Sequence, residues 1–232
     1  MIASQRVPVH SLRAMLPAVL SIIAGSVDAI SFLGLGGLFT AHVTGNLIVL
    51  VAHLAAGSRA PVANILSVPV FVAALGLTRL LAGVSLRPLL LLQLLLLVGF
   101  LALCASAGAR VDPHAARAIL AGMFGVSAMA VQNALVQISL KGVPSTAVMT
   151  TNITHFMMDI GEVLFGRKLS DVAKARTRAL LTWPAIVGFA AGCGLGATCE
   201  AAIGLTSLTL PVGLAVLAVA MGMNANTAKT RD

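Results

Sequence analysis

Residues 145–165 read STAVMTTNITHFMMDIGEVLF. As a helix rising ~1.5 Å per residue, this run is long enough to cross a bilayer. It nevertheless carries Asn152, His155, Asp159 and Glu162. At ~100° per residue these four side chains fall within an arc of roughly 80°, so a helix here has one polar stripe on an apolar body. An ionisable group at the bilayer centre costs at least about 2.5–3.5 kcal/mol on insertion scales, so two acids and a histidine on one face demand a reason. The remaining segments are read as what shields and partners this stripe.

Composition sets the class. Of 232 residues, 59% are hydrophobic and only 9% charged, with a mean hydropathy of +1.02, whereas soluble domains carry about a quarter charged residues. The chain is predicted to be all-α: a polytopic helical membrane protein, one membrane domain over residues 1–232. A net charge of +8 would suit nucleic acid. The 15 basic residues, however, lie between apolar runs and tyrosine is absent, so no nucleic acid is expected and the charge reads as loop charge obeying the positive-inside rule. Cys104, Cys193 and Cys199 lie in apolar runs without a paired spacing and read as small buried residues, neither disulfides nor zinc ligands.

Eight apolar segments follow one another. The first, Arg13–Leu38, has the basic start of a signal peptide but continues past any cleavage point and contains Asp28, so it is read as a retained segment. Thr40–Ala56 holds His42, Thr44, Asn46 and His53; Pro61–Gly83 holds Pro69 and Arg79; Pro88–Ala107 is the most lipid-like. Ala115–Leu140 carries Gln132, Asn133 and Gln137, and the opening stretch is sixth. The five basic residues of Gly166–Arg178 then predict a cytoplasmic loop touching anionic lipid headgroups at Arg167–Arg178. Ala179–Ala202, with Pro184 and four glycines, and Leu205–Met223 complete the series.

The order of residues repeats. Asp28-Ala29, Leu35 and Gly37 recur 105 positions later as Asn133-Ala134, Leu140 and Gly142, and Thr44-Gly45-Asn46 recurs 106 positions later as Thr150-Thr151-Asn152. Pro69 and Pro184 sit early in the third and seventh segments. The pattern predicts two related halves, approximately 13–107 and 115–223.

AGSVDAISFLGLGGLFTAHVTGNLIVL (24–50) and VQNALVQISLKGVPSTAVMTTNITH (131–155) together resemble the two signature blocks of the YoaK-type family of bacterial multi-pass membrane proteins of unknown function. The resemblance implies a membrane-embedded, multi-span architecture and says little about mechanism.

Two topologies are open. With eight spans, or with six spans plus two short or re-entrant polar segments (the second and sixth), twelve basic residues fall inside and three outside. Charge therefore does not choose. The second segment has about 17 residues, near the lower limit for a span, and polar re-entrant backbone is tolerated only where protein or a watery cavity surrounds it. This favours six spans plus two, with N- and C-termini cytoplasmic. Three crossings per half would invert one half against the other, a common transporter plan with binding at the midplane.

The expected ion or solute pathway is Asp28, His42, Thr44, Asn46, His53, Asn133, Asn152, His155, Asp159 and Glu162. Asp28 reads either as a proton or cation ligand or as a buried acid paired with a distant arginine such as Arg79. For His155 and Asp159, at i and i+4, a divalent-metal grip, a proton relay and a structural seam all stay open. No metal or cofactor is assigned. No Walker motif or nucleophile elbow is present. The favoured function is a secondary transporter or permease of a small solute or ion in a bacterial-type cytoplasmic (inner) membrane, with proton or cation coupling. A membrane scaffold or accessory protein is the alternative, and an intramembrane enzyme using His155 and Asp159 is less favoured. The expected partners are the lipid bilayer and the solute, and an oligomer is left open.

Overall fold

The computed structural model describes residues 9–59, 61–80, 85–106, 112–140 and 142–227. Arg6, Arg110, Lys141, Lys229 and Arg231, which enter the charge comparison, lie outside the described residues, as do Gly83 and Ala107. Among the described residues the fold is all-helical: α1 (Val9–Gly34), α2 (Gly45–Ala55), α3 (Val62–Leu80), α4 (Leu86–Ala105), α5 (Ala116–Ser139), α6 (Met149–Phe165), α7 (Leu169–Ile203) and α8 (Thr209–Thr227), with a 3-10 turn at Gly204–Leu208. Among the described residues five stretches are long and apolar enough to cross a membrane: Met15–Gly34, Val62–Leu80, Leu86–Ala105, Ala116–Ser139 and Leu169–Met223, the last containing α7 and most of α8.

The boundaries differ from the sequence expectation where local polar chemistry intervenes. α1 stops at Gly34 and not at Leu38, because Gly36 and Gly37 adopt φ of 66° and 82°, a region glycine enters without steric cost. α2 has only 11 residues, about 16 Å, roughly half the hydrocarbon thickness. α6 starts four residues after Ser145, since Ser145 Oγ accepts the N–H groups of Ala147 and Val148 and holds those residues in a turn. The predicted loop at Gly166–Arg178 is instead helical from Leu169 onward. Its alanines, lysine and arginines are good helix formers, and Asp171 in the first turn complements the helix dipole.

α1 is the most enclosed helix and packs chiefly on α7. Gly188 and Gly196 of α7 abut the carbonyls of Ala18 and Ser26; a methyl at either glycine would stand 2.8 or 2.7 Å from those oxygens. The glycine-rich face thus lets two backbones approach inside one chain. Residue numbers rise together along this contact, so α1 and α7 run parallel. α3 and α5 run parallel too, with Val72, Leu75 and Arg79 lining one cavity with Ala134, Gln137 and Ile138. α4 packs on α5 as α8 packs on α1, and α2 packs on α3 as α6 packs on α7.

The two ends of the bundle are therefore distinguishable. Gly34 lies against Leu205, Gly36 against Pro113, and Arg117 donates to the Ser106 carbonyl at 2.9 Å at one end. At the other, Arg87 donates to the Met223 carbonyl at 2.7 Å, joining the start of α4 to the end of α8.

Candidate functional site

The loop between α1 and α2 folds back onto Asp28. Asp28 Oδ1 accepts the Thr40 N–H (2.7 Å), the Thr40 hydroxyl (3.0 Å) and the Ala41 N–H (2.6 Å). Its Oδ2 accepts the His42 N–H at 3.2 Å and lies 2.6 Å from His42 Nδ1. Successive backbone N–H groups converging on an anion form a nest, and here the anion is the protein's own carboxylate. An ionised carboxylate only accepts, so His42 donates through Nδ1 and leaves Nε2 for other contacts. The His42 ring meets Phe189 of α7 edge-on, with centroids 5.1 Å apart. Arg79, which the sequence offered as a partner for Asp28, lines a different cavity between α3 and α5.

The same loop is fastened to α3 by Asn46. Its Oδ1 accepts from the Phe39 N–H at 2.8 Å and its Nδ2 donates to the Phe39 carbonyl at 2.7 Å, so the side chain closes a backbone-like ring on the loop. Nδ2 also donates to Ser67 Oγ (2.8 Å), while Asn64 donates to Asn46 Oδ1 (3.2 Å) and to the Gly37 carbonyl (3.1 Å). Asn46, Asn64 and Ser67 are fully buried.

The loop between α5 and α6 has a related plan. Gln132 of α5 donates to Thr146 Oγ1 and to the Leu20 carbonyl, both at 2.9 Å, and accepts from Gln93 at 2.7 Å. Asn152 Nδ2 donates to the Ser145 carbonyl at 2.6 Å, seven residues back, the same separation as Asn46 to Phe39. Among the described residues Asn133, the position that the repeat sets against Asp28, bonds only its own helix, at the Met129 carbonyl.

The polar stripe of α6 lies on the helix as expected but divides by environment. Asn152 and Asp159 are buried at 3% and 5% exposure, whereas His155 and Glu162 are exposed. Asp159 Oδ1 receives two bonds from Arg178 of α7, from Nε at 2.9 Å and Nη2 at 2.5 Å. Two donors of one guanidinium on one acid is a strong, oriented arrangement. Together Ser145, Thr151, Asn152, His155, Asp159, Arg178 and Thr182 provide the polar part of a cavity of about 730 Å³ between α6, α7 and the preceding loop. Val143, Pro144, Val148, Met158 and Leu181 supply its apolar walls. A smaller cavity of about 290 Å³, lined by Asn133 and Gln137, adjoins it through Gly142, Val143 and Ser145. Glu162 faces a third, of about 360 Å³, with Asp171 and Lys174.

Asn152, His155 and Asp159 are thus brought together, with Asn133 beside them. Asp28 and His42 form a separate knot and do not line the large cavity. His53 lies at the far end of α2, bonded to Ser58 Oγ at 2.9 Å, and Thr44 is exposed just before α2. Among the described residues no three His, Cys, Asp or Glu side chains cluster as metal ligands would, so a grip by His155 and Asp159 has no third donor of these types there. Arg178, Asn64, Ser67 and Thr146 were not singled out from the sequence. A polar pair inside the apolar run of α3, and an arginine just past an acidic helix, were the available signals.

Among the described residues the fold and the site define a class: an all-helical bundle of membrane-length apolar segments with a polar cavity between α6 and α7. The chain belongs to the family described as protein of unknown function (DUF1275), whose model matches residues 16–228. No curated protein and no solved structure matches the chain.

Proposed function

We propose that the chain is a multi-pass membrane protein that moves a small solute or ion across a bacterial-type cytoplasmic membrane. Six helices (α1, α3, α4, α5, α7 and α8) cross, while α2 and α6 with their preceding loops form hairpins that enter and leave on one side. The directions of the helices support this topology. Asp28 lies about 9 Å below the end of α1 and Gln132 about 10 Å below the end of α5, so each loop dips to those depths before its short helix returns. One dips from the end that holds Gly34, the other from the end that holds Met223. Arg79, Arg87 and the basic start of α7 gather at the Met223 end, which the positive-inside rule makes cytoplasmic. Arg59 and Arg117 fall at the opposite end. The paired contacts of α1–α7 with α5–α3, and of α2–α3 with α6–α7, support a duplicated and inverted pair of halves. The YoaK-type resemblance supports the bacterial setting.

The observation that carries the transport reading is the buried Asp159, paired with Arg178 at the wall of a polar cavity inside an apolar bundle. Ionisable groups at membrane depth, beside a broken segment, are the usual furniture of solute and proton pathways. In this reading Asp159 carries the coupling charge and Arg178 its counter-charge, while His155 lies exposed on the same cavity wall, one turn deeper along α6. Asp28 holds the opposite hairpin in place. Uptake into proteoliposomes under an imposed pH gradient tests the reading. Asp159→Asn is expected to retain exchange of solute but lose gradient-driven accumulation. Accumulation equal to wild type in that variant would remove the coupling role, and no uptake of any solute by wild type would remove the transport reading.

A further inference from the structure

We infer that the cavity beside α6 takes a small neutral or zwitterionic solute whose N–H donates to Asn152 Oδ1, in the place that Asn64 occupies in the first hairpin. The inference rests on the permease reading above and names the class of its cargo.

The two hairpins provide the comparison. Asn46 and Asn152 each hold a carbonyl seven residues back through Nδ2. Their oxygens differ. Asn46 Oδ1 accepts from the Phe39 N–H and from Asn64 Nδ2. Asn152 Oδ1 has no hydrogen-bond partner among the described residues, although Asn152 is only 3% exposed and lines the cavity. Among the described residues the Asn152 oxygen is not one of the enclosed atoms left without a partner, as the Asn64 oxygen is, so it opens onto the cavity and is within reach of a donor that arrives there. Setting Pro69 against Pro184 places Asn64 opposite Ala179 and Ser67 opposite Thr182. The hydroxyl is kept and the amide is replaced by a methyl group, which removes both the donor and its volume. Asn64 and Ser67 occupy the Asn46 amide in the first hairpin, whereas beside Asn152 and Thr182 in the second lies a cavity of about 730 Å³, within the usual range of small-molecule sites.

Charge narrows the class. Asp159 and Arg178, both on the cavity wall, carry opposite charges that cancel. A bare ion gains little from such a lining, whereas a molecule with its own donor and acceptor matches it. The carboxylate of a zwitterion meets the Arg178 guanidinium, whose Nη1 has no bond to Asp159, and its ammonium meets Asn152 Oδ1. Aliphatic substance fits against Val148, Met158 and Leu181.

The test uses the full chain in detergent and follows thermal unfolding with three probes. They are L-leucine, 4-methylpentanoate (the same skeleton without the amine) and 3-methylbutylamine (without the carboxylate). L-Leucine is expected to raise the unfolding temperature by several degrees at saturation, through selective binding to the folded state, and 4-methylpentanoate to leave it unchanged. Ala179→Asn restores the donor of the first hairpin. It is expected to unfold at a higher temperature than Ala179→Leu, which fills the space without a donor, and to lose the response to leucine. Equal responses to leucine and 4-methylpentanoate overturn the inference, as does the lack of any response in wild type. Donor-dependent binding without uptake into proteoliposomes leaves the inference standing and removes the permease reading. Uptake without donor-dependent binding does the reverse.

Discussion

His42 Nδ1 lies 2.6 Å from Asp28 Oδ2, while three successive backbone N–H groups, those of Thr40, Ala41 and His42, point at the same carboxylate. The loop before α2 is shaped around this one side chain. Asp28→Ala leaves those donors buried without partners at about 1–3 kcal/mol each, so the expected destabilisation is at least about 3 kcal/mol. His42→Ala removes one bond of five and is expected to cost about 1 kcal/mol. Chemical unfolding in detergent measures both, and an Asp28→Ala protein as stable as wild type would contradict the knot.

The Asp159–Arg178 pair has one buried and one largely exposed partner, with side-chain exposures of 7% and 60%. Removing the arginine strands a buried carboxylate, whereas removing both charges does not. Arg178→Gln is therefore expected to unfold at lower temperature than wild type, and Asp159→Asn combined with Arg178→Gln to regain most of that loss. A double-mutant cycle with no coupling would show that the two side chains act independently.

Six crossings and eight make opposite statements about Ser58 and Thr177. With two re-entrant hairpins, cysteines at these positions lie on opposite faces of the membrane; with eight full spans they lie on the same face. In a chain cleared of Cys104, Cys193 and Cys199, a membrane-impermeant maleimide is expected to label Thr177→Cys only after the cytoplasmic side is opened, and Ser58→Cys without that step. Equal labelling of both in sealed cells is the outcome that favours eight.

The α1–α7 contact makes a graded prediction. Gly196→Val forces a side chain against the Ser26 carbonyl and is expected to cost about 1–3 kcal/mol through overpacking. Gly194, two residues earlier, has open space where a Cβ would stand. Gly194→Ala is expected to be neutral, or to stabilise the helix by up to about 1 kcal/mol. Equal effects at the two sites would mean that the close packing of α1 on α7 does not hold in solution.

Much of the helical plan was legible because apolar runs of membrane length have few alternative readings. The face shared by Asn152, His155, Asp159 and Glu162 was also legible, since helical periodicity fixes direction. What periodicity does not fix is the neighbour. Asp159 and Glu162 are three residues apart, yet one is buried against Arg178 and the other exposed, because α7 covers only part of the stripe. Arg178 itself was read with a run of loop charges, and its role depends on α7 beginning ten residues earlier than its apolar stretch. The partners of Asp28 were hidden for another reason. Backbone N–H groups carry no residue identity, so a nest leaves no motif. The repeat aligned Asn133 with Asp28, while the side chain that reaches into the second loop is Gln132, one residue earlier and one methylene longer.

The two loop anchors also differ in when they can form. Asp28 grips residues only 12 to 14 positions further along the chain, so this hairpin closes as soon as α1 and the next few turns have left the ribosome. Gln132 likewise grips its own loop, at Thr146 14 positions further on, but its bond to the Leu20 carbonyl, 112 residues back, closes only after α1 is already seated. The first hairpin is in this sense a finished piece of the template on which the second is built. A defect at Asp28 is then inherited by every later step of biogenesis, whereas a defect at Gln132 arrives when half of the molecule is already complete.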